Sequence, residues 1–308
     1  MIKEKSERNK TIDFNEKDLE TYSNKLNKIT SNEPVENVLN KIFNNDLFEA
    51  LDYFPDNFVD LLILDPPYNL SKNFGEINFK KTTNDKYLEY LDSWFSKIIR
   101  LLKPTATIYL CGDWKCSVQQ YTVLEKYAII RNRIVWQREK GRGASKNWKN
   151  SSEDILFATM TDEYYFDVDS IKTKKKVIAP YKQDGVAKDW VEDGSGKFRM
   201  TFPSNFLDDI TVPYWSMPEN TIHPTQKPEK LIAKLILASC PENGVVFDVF
   251  MGSGTTAVVS KKLGRNFSGI EIDEKYCVIS EKRLEKVEEN KNIQGYVNGV
   301  FLERNQKS

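Results

Sequence analysis

The sequence has one histidine, His223, and four cysteines, Cys111, Cys116, Cys240 and Cys277, with no Cys-x-x-Cys pair and no metal-ligand spacing. Zinc sites built on several imidazoles are excluded, as is any mechanism that needs a histidine base far from position 223. Cys240 and Cys277 sit in apolar helical patterns, where a free thiol acts as a small core residue. Charge of one sign is lacking too: 45 basic side chains face 45 acidic ones. That balance neither favours nor disfavours a nucleic-acid partner, because binding depends on where the charges lie. No apolar run approaches the roughly 18–20 residues that span a bilayer, so no membrane partner is expected. The opening MIKEKSERNK is basic with no apolar stretch behind it, which does not read as a secretory signal; a cytoplasmic protein is expected. Internal repeats are absent. What is present is 308 residues, 40% hydrophobic and 29% charged, enough for a sizeable core and too apolar for wholesale disorder.

Residues 1–32 are rich in Lys, Glu and Asn and predict a loosely ordered N-terminal arm. Val35, Val38, Leu39, Ile42 and Phe43 then fall on one face of a helix. Val59 to Leu64 reads as a strand buried on both faces, ended by the two prolines of Asp65-Pro66-Pro67-Tyr68. A helix from about Asn84 to Leu102 is stopped by Lys103-Pro104. Strand Ala106–Leu110, helix Trp114–Tyr127 and strand Ile129–Trp136 follow, and this alternation implies parallel pairing. From about Glu139 to Ile222 the alternation fails among glycines, prolines and a lysine cluster. It resumes with helix Leu231–Ser239, strand Val245–Val249, helix Thr255–Leu263, strand Phe267–Ile272 and a helix from Glu274 to about Val287. The expected fold is an α/β core, mostly parallel with helices on both faces. Its parts are an arm (1–32), one half of the core (33–138), an irregular insertion (139–222) and the other half (223–308).

Two stretches carry chemistry. Asp65-Pro66-Pro67-Tyr68 lies at the carboxyl end of a strand, where open α/β sheets place their ligands. Phe250-Met251-Gly252-Ser253-Gly254-Thr255-Thr256 joins a strand to a helix; its glycines permit close backbone approach, and the helix N-terminus offers unpaired N–H groups. Each alone is weak. Together, in this order, they resemble the β-group of amino-methylating DNA methyltransferases, in which the DPPY motif precedes FxGSGTT by circular permutation. Asn45-Asp46-Leu47, the stretch His223-Pro224-Thr225-Gln226-Lys227-Pro228 and Gly269-Ile270-Glu271 extend the resemblance from about Asn44 to Leu284.

The resemblance implies a Rossmann-like fold that binds S-adenosyl-L-methionine and methylates an exocyclic amine of a DNA base. Phe250, Gly252, Ser253, Gly254, Thr255 and Thr256 would surround the methionine part of the cofactor, its carboxylate facing N–H groups and the two threonine hydroxyls. Thr225 and Lys227 would meet the same carboxylate, with His223 packing and orienting their segment. Glu271 would accept from the ribose hydroxyls and Asp46 from the adenine amino group, while Asp65 lies between cofactor and substrate. Such an amine is a poor nucleophile, its lone pair delocalised into the ring. Asp65 and the Pro66 carbonyl would accept its two hydrogens and turn that lone pair to the methyl group. Proline at position 66 would hold the turn rigid, and Tyr68 would stack on the base, with Pro67 counted in the same catalytic motif. A base inside a duplex must first be flipped out.

Contacts to double-stranded DNA are expected from the basic, glycine-hinged stretch Arg138, Lys140, Arg142, Lys146, Trp148 and Lys149, and from Lys174, Lys175 and Lys176. The favoured activity is adenine N6 methylation in a restriction–modification system, with a cognate endonuclease and a homodimer as further partners. Cytosine N4 methylation is the alternative, more often accompanied by Ser than Asp at the motif's first position. Protein-amide methylation fits less well, since those enzymes show the opposite motif order and begin the tetrapeptide with Asn. A catalytically silent DNA-binding subunit is disfavoured by intact Asp65, Gly252 and Glu271.

Overall fold

The computed structural model describes residues 6–74, 77–138, 145–194 and 196–304. The strands that build its two larger sheets are, in chain order, β1 (Lys41–Asn44), β2 (Val59–Leu64), β3 (Leu102–Gly112), β4 (Ile129–Gln137), β5 (Ser152–Thr159), β6 (Thr173–Lys176), β7 (Val191–Asp193), β8 (Gly196–Thr201), β9 (Phe206–Leu207), β10 (Val245–Asp248), β11 (Asn266–Glu271), β12 (Tyr296–Val297) and β13 (Val300–Leu302). The helices are α1 (Glu16–Tyr22), α2 (Val35–Val38), α3 (Leu47–Ala50), α4 (Asn84–Ile98), α5 (Ser117–Leu124), α6 (Glu229–Ser239), α7 (Thr255–Lys262) and α8 (Glu274–Lys286). Eight strands form the main sheet in the order β1-β11-β10-β2-β3-β5-β4-β9. Five of its neighbouring pairs are parallel, and only β5 runs against the rest.

β2 shows why the centre holds. Val59, Leu62 and Leu64 enter one core cluster with α4, while Leu61 and Ile63 enter another with α6. From Leu61 to Leu64 the period-two alternation buries both faces, with Val59 beyond a register irregularity, which suits a parallel strand between helical layers. From β2 the chain moves through α4 to β3; from β10 it moves through α7 to β11, in the opposite direction across the sheet. The switch point lies between β2 and β10, and a crevice opens there at the strands' carboxyl ends. Every residue of α6 is buried, because the helix lies between the main sheet and a second, five-stranded sheet, β7-β8-β6-β13-β12. Its two lysines, Lys230 and Lys234, reach Asp209 at 2.8 and 2.9 Å. The paired charges hold the Asp209 carboxyl below its ordinary value despite its burial.

Several expectations are corrected. The helix read through Phe43 stops at Val38: Asn40 takes a positive φ of 58°, and Lys41–Asn44 becomes the edge strand beside β11. Ile42 and Phe43 face opposite clusters, so the i+3/i+4 spacing was fortuitous. Within residues 1–32 the described part is not loose. Asn15 and Asp18 form a capping box on α1, Ile12 bridges Thr221, and the Tyr22 hydroxyl donates to Glu285 at 2.5 Å. Lys103-Pro104 does not stop α4, which already ends at Ile98; both residues begin β3, where an early proline is tolerated. α5 is also shorter than the stretch Trp114–Tyr127. The largest correction concerns 139–222. β5 and β9 come from this segment yet belong to the main sheet, so β3 and β4 are both paired antiparallel to β5. Ile155-Leu156-Phe157-Ala158, all buried, was the available signal.

Candidate active site

A cavity of about 470 Å³ occupies the crevice. Four parallel strands deliver its walls from their carboxyl ends: Asp46 after β1, Glu271 at the end of β11, Phe250 and Gly252 after β10, and Asp65 to Tyr68 after β2. His223, Thr225 and Lys227 enter from the loop before α6, Arg138 from just past the end of β4, and Glu153 from β5. The structure thus gathers residues separated by more than two hundred positions in the chain.

At one end, Glu271 accepts from the backbone N–H groups of Gly252 at 2.6 Å and Asp273 at 2.8 Å, one on each oxygen. Each oxygen keeps acceptor capacity for a further donor. Burial raises its pKa to about 7 against these favourable bonds. Asp248, behind the glycine turn, is likewise raised to about 7 by burial. Asp46 caps α3 by accepting from Phe48 N–H at 2.7 Å; the capping role and its place on the cavity wall coexist. His223 packs edge-on against Tyr276, ring centroids 4.5 Å apart, and its Nδ1 accepts from Thr225 N–H at 3.4 Å.

At the other end is a charge network. Lys227 Nζ lies 2.5 Å from Asp65 Oδ2 and 3.4 Å from Glu153 Oε2. The Tyr68 hydroxyl donates to Asp65 Oδ1 at 2.9 Å and lies 3.4 Å from Glu153 Oε2. Arg138 pairs closely with Glu153 Oε1. Burial, then the Asp65 charge, pushes the Tyr68 phenol well above its ordinary value, so it stays a donor. The Tyr87 hydroxyl on α4 donates to Pro67 C=O at 3.0 Å and ties the Pro-Pro turn to the helix.

Not every candidate reaches the cavity. Ser253, Gly254, Thr255 and Thr256 lie behind its wall and are buried. Thr256 Oγ1 donates to Asp248 at 2.6 Å, and Arg283 donates to Ser253 C=O at 2.7 Å and Thr255 Oγ1 at 3.1 Å. The threonine hydroxyls expected at a cofactor carboxylate are therefore engaged in holding the loop. Of the DNA-contact candidates, Lys146, Trp148 and Lys149 are exposed, the indole almost wholly. They directly precede Asn150 and Ser152 on the cavity wall. Arg138 faces inward to Glu153 instead of outward. Lys140 and Arg142 lie outside the described residues. Lys174 to Lys176 form β6 of the second sheet, with Lys174 Nζ 4.3 Å from the centre of the Phe198 ring. Sequence reasoning missed Glu153, Tyr87 and Arg283. A lone glutamate in a stretch read as irregular, and support residues within helices, carry no motif.

The raised Glu271 pKa has a stability consequence. A carboxyl whose value rises on folding from 4.5 to about 7 stabilises the fold fully below pH 4.5, and that contribution is lost as pH rises through about 7. Glu271→Gln should therefore lessen the loss of unfolding free energy between about pH 5 and pH 8, by an amount on the order of 2 kcal/mol. Calorimetry of both proteins across that range checks it; equal slopes would show that the buried group does not titrate there.

The doubly wound sheet, with its motifs at the strand ends flanking the switch point, defines a methyltransferase-type α/β fold. A family model described as DNA methylase, of the N6/N4 type, matches residues 59–282. The chain belongs to this N6/N4 amino DNA methyltransferase family. It is 34% identical over 281 residues to the Type II methyltransferase M.BglII of Bacillus subtilis, covering 87% of this chain and 75% of that protein. Against the Type II methyltransferase M.HpaI of Haemophilus parainfluenzae it is 32% identical over 244 residues, covering 78% and 73%. The fold resembles the crystal structure of the M1.HpyAVI–SAM complex, with TM-score 0.53, 23% identity and 79% and 98% of the chains covered. It also resembles PvuII DNA methyltransferase (cytosine-N4-specific), with TM-score 0.60, 16% identity and 85% and 93% covered. No described helix is long and apolar enough to cross a membrane.

Proposed function

We propose that this chain is an S-adenosylmethionine-dependent DNA methyltransferase of a restriction–modification system, acting on the N6 amine of a flipped adenine. One observation carries the reading: Asp65-Pro66-Pro67-Tyr68 shares a single cavity with Gly252, Glu271 and Asp46. The relatives' description as type II methyltransferases supports the restriction–modification context, and aspartate at the first motif position supports adenine.

The residues present fit the cofactor. Glu271 presents a buried carboxylate whose two oxygens each retain acceptor capacity, suited to a pair of ribose hydroxyls. Gly252 leaves a gap that a Cβ would narrow, 3.1 Å from His223 Nε2. Asp46 stands beside the exposed Phe48 and Ile272, apolar flanks for a purine ring. When bound, the cofactor supplies a sulfonium methyl group already activated for transfer. The chain contributes alignment: Asp65 and the Pro66 carbonyl accept the amine's hydrogens and direct its lone pair. Tyr68, positioned by Asp65, gives the base a flat face, and its high pKa keeps the phenol neutral. With the cofactor bound, the proton that the methylated amine must lose would pass to the Asp65 carboxylate, the basic one of its two acceptors.

Transfer of labelled methyl to unmodified duplex DNA, followed by long-read sequencing, tests the reading. Modified adenine within one short site is expected. N4-methylcytosine would replace the adenine assignment, and no incorporation into any DNA would remove the enzyme reading.

Sequence choice is assigned to the 139–222 segment outside β5, where basic and aromatic side chains lie together. Neutralising Lys174, Lys175 and Lys176 should weaken binding to all sequences and flatten its salt dependence by roughly 0.9 for each phosphate no longer neutralised. Fluorescence anisotropy at several salt concentrations reads this; an unchanged slope places the phosphate-binding residues elsewhere. A cognate endonuclease sharing the site and a second copy of this chain are the further partners proposed.

A further inference from the structure

Asp65 is the carboxylate to which the proposed function gives the target amine, yet both of its oxygens already carry donors. Lys227 Nζ holds Oδ2 at 2.5 Å and the Tyr68 hydroxyl holds Oδ1 at 2.9 Å. A charge-assisted bond from a nearly buried ammonium outcompetes the N–H of a neutral amine. Each Asp65 oxygen retains a further lone-pair site, as in Glu271. An ammonium at 2.5 Å and a phenol at 2.9 Å nonetheless compete with an incoming amine for the same negative charge, so Asp65 accepts that amine's hydrogens less strongly while both donors stay. The ammonium cannot move into solvent, because its side chain is only 9% exposed and a buried charge left without a partner is strongly destabilising.

A second acceptor is in place. Glu153 Oε2 lies 3.4 Å from Lys227 Nζ and 3.4 Å from the Tyr68 hydroxyl. Both donors now resting on Asp65 thus have the same alternative acceptor. Glu153 is itself held: it is almost fully buried on β5, and Arg138 pairs with its other oxygen. Two carboxylates and two cations make the cluster neutral, so moving the ammonium between carboxylates leaves no charge unpartnered.

We propose that Glu153 is a positioning residue: it takes over Lys227 and Tyr68 when the target amine arrives, so that Asp65 accepts the amine's hydrogens more strongly. The proposal rests on the methyltransferase reading. It makes Glu153 act through Lys227, without touching cofactor or base. It also gives Arg138 a task inside the site, fixing the glutamate that receives the ammonium, in place of a phosphate contact.

The test uses the full chain and its methylated site found by sequencing. Glu153→Gln keeps the shape and removes the charge. We expect kcat for methyl transfer to fall about tenfold or more, a coupling ordinary for residues sharing one charge network. The dissociation constant for S-adenosylmethionine, read by equilibrium dialysis, should change less than about threefold, and the melting transition should persist. In a Lys227→Gln background the same substitution should cost less than about threefold further, because the residue it acts through is already gone. A Glu153→Gln kcat within threefold of wild type, a loss confined to cofactor affinity, or full multiplication of the two effects would each overturn the proposal. Should the Gln variant lack a melting transition, Glu153→Asp, which keeps the charge, decides. Retention of about a third of wild-type kcat supports the role, and a larger loss in a folded protein overturns it. Wild-type protein inactive on every DNA would instead strike the underlying reading, with nothing said by Glu153.

Discussion

Asp65→Ala is expected to abolish methyl transfer while leaving DNA binding largely intact. The carboxylate lies at the cavity wall, not on a surface that faces phosphates, and its proposed task is to accept the hydrogens of an amine. Removing one preorganised group of this kind costs roughly 10²–10³ in turnover. The fold should tolerate the change, because Lys227 keeps Glu153 within 3.4 Å and Tyr68 keeps the same acceptor. Asp65→Asn separates charge from shape: it retains an acceptor oxygen but not the anion, and turnover between that of Ala and wild type is expected. Labelled-methyl incorporation and a gel-shift assay on one preparation read both properties. Transfer within threefold of wild type for the Ala variant would sink the assignment of Asp65, whatever the DNA affinity.

How legible the molecule was in its sequence depended on whether a residue's role was local. β2 and β10 were readable because each is a short run enriched in β-branched and other apolar residues. β11, with only Phe267 and Ile270 as large apolar residues, was readable from its Gly269-Ile270-Glu271 end. The motifs were readable because prolines and glycines punctuate them. β1 was misread because Ile42 and Phe43 match a helical spacing by coincidence, and only the ladder with Gly269 and Ile270 makes them a strand. β5 was hidden by its neighbours. Its four-residue apolar run sits between a glycine-rich stretch and a lysine cluster, and its antiparallel place between β3 and β4 cannot be inferred from alternation alone. With β5 went Glu153, whose place beside Asp65 depends on a pairing across the sheet. Thr255 and Thr256 show the converse. Their motif located the loop, but the direction of the hydroxyls is set by Asp248 and Arg283, which lie outside it. A motif therefore located the loop without fixing which atoms face the ligand.

Gly252→Val should block the cofactor rather than the DNA. Gly252 has φ +54°, in the left-handed region where a β-branched residue is strained by about 1–3 kcal/mol. Its N–H donates to Glu271 Oε2 at 2.6 Å, so relaxing that strain would also disturb the carboxylate proposed for the ribose. A Cβ at this position would lie 3.1 Å from His223 Nε2, and a valine would add two methyl groups beside the cavity. Three consequences thus converge on one end of the site: lost volume, a displaced Glu271 and pressure on the His223 ring. None touches the Asp65, Lys227 and Glu153 cluster at the other end. We expect the dissociation constant for S-adenosylmethionine to rise by more than about tenfold, equivalent to roughly 1.4 kcal/mol or more, with DNA affinity within about threefold of wild type. Gly252→Ala, which adds the Cβ alone, should fall between the two. Equilibrium dialysis with labelled cofactor gives the first number and anisotropy with duplex DNA the second. Unaltered cofactor affinity in a folded Val variant would mean that the methionine moiety lies away from Gly252, and the roles given to Glu271 and Asp46 would fall with it.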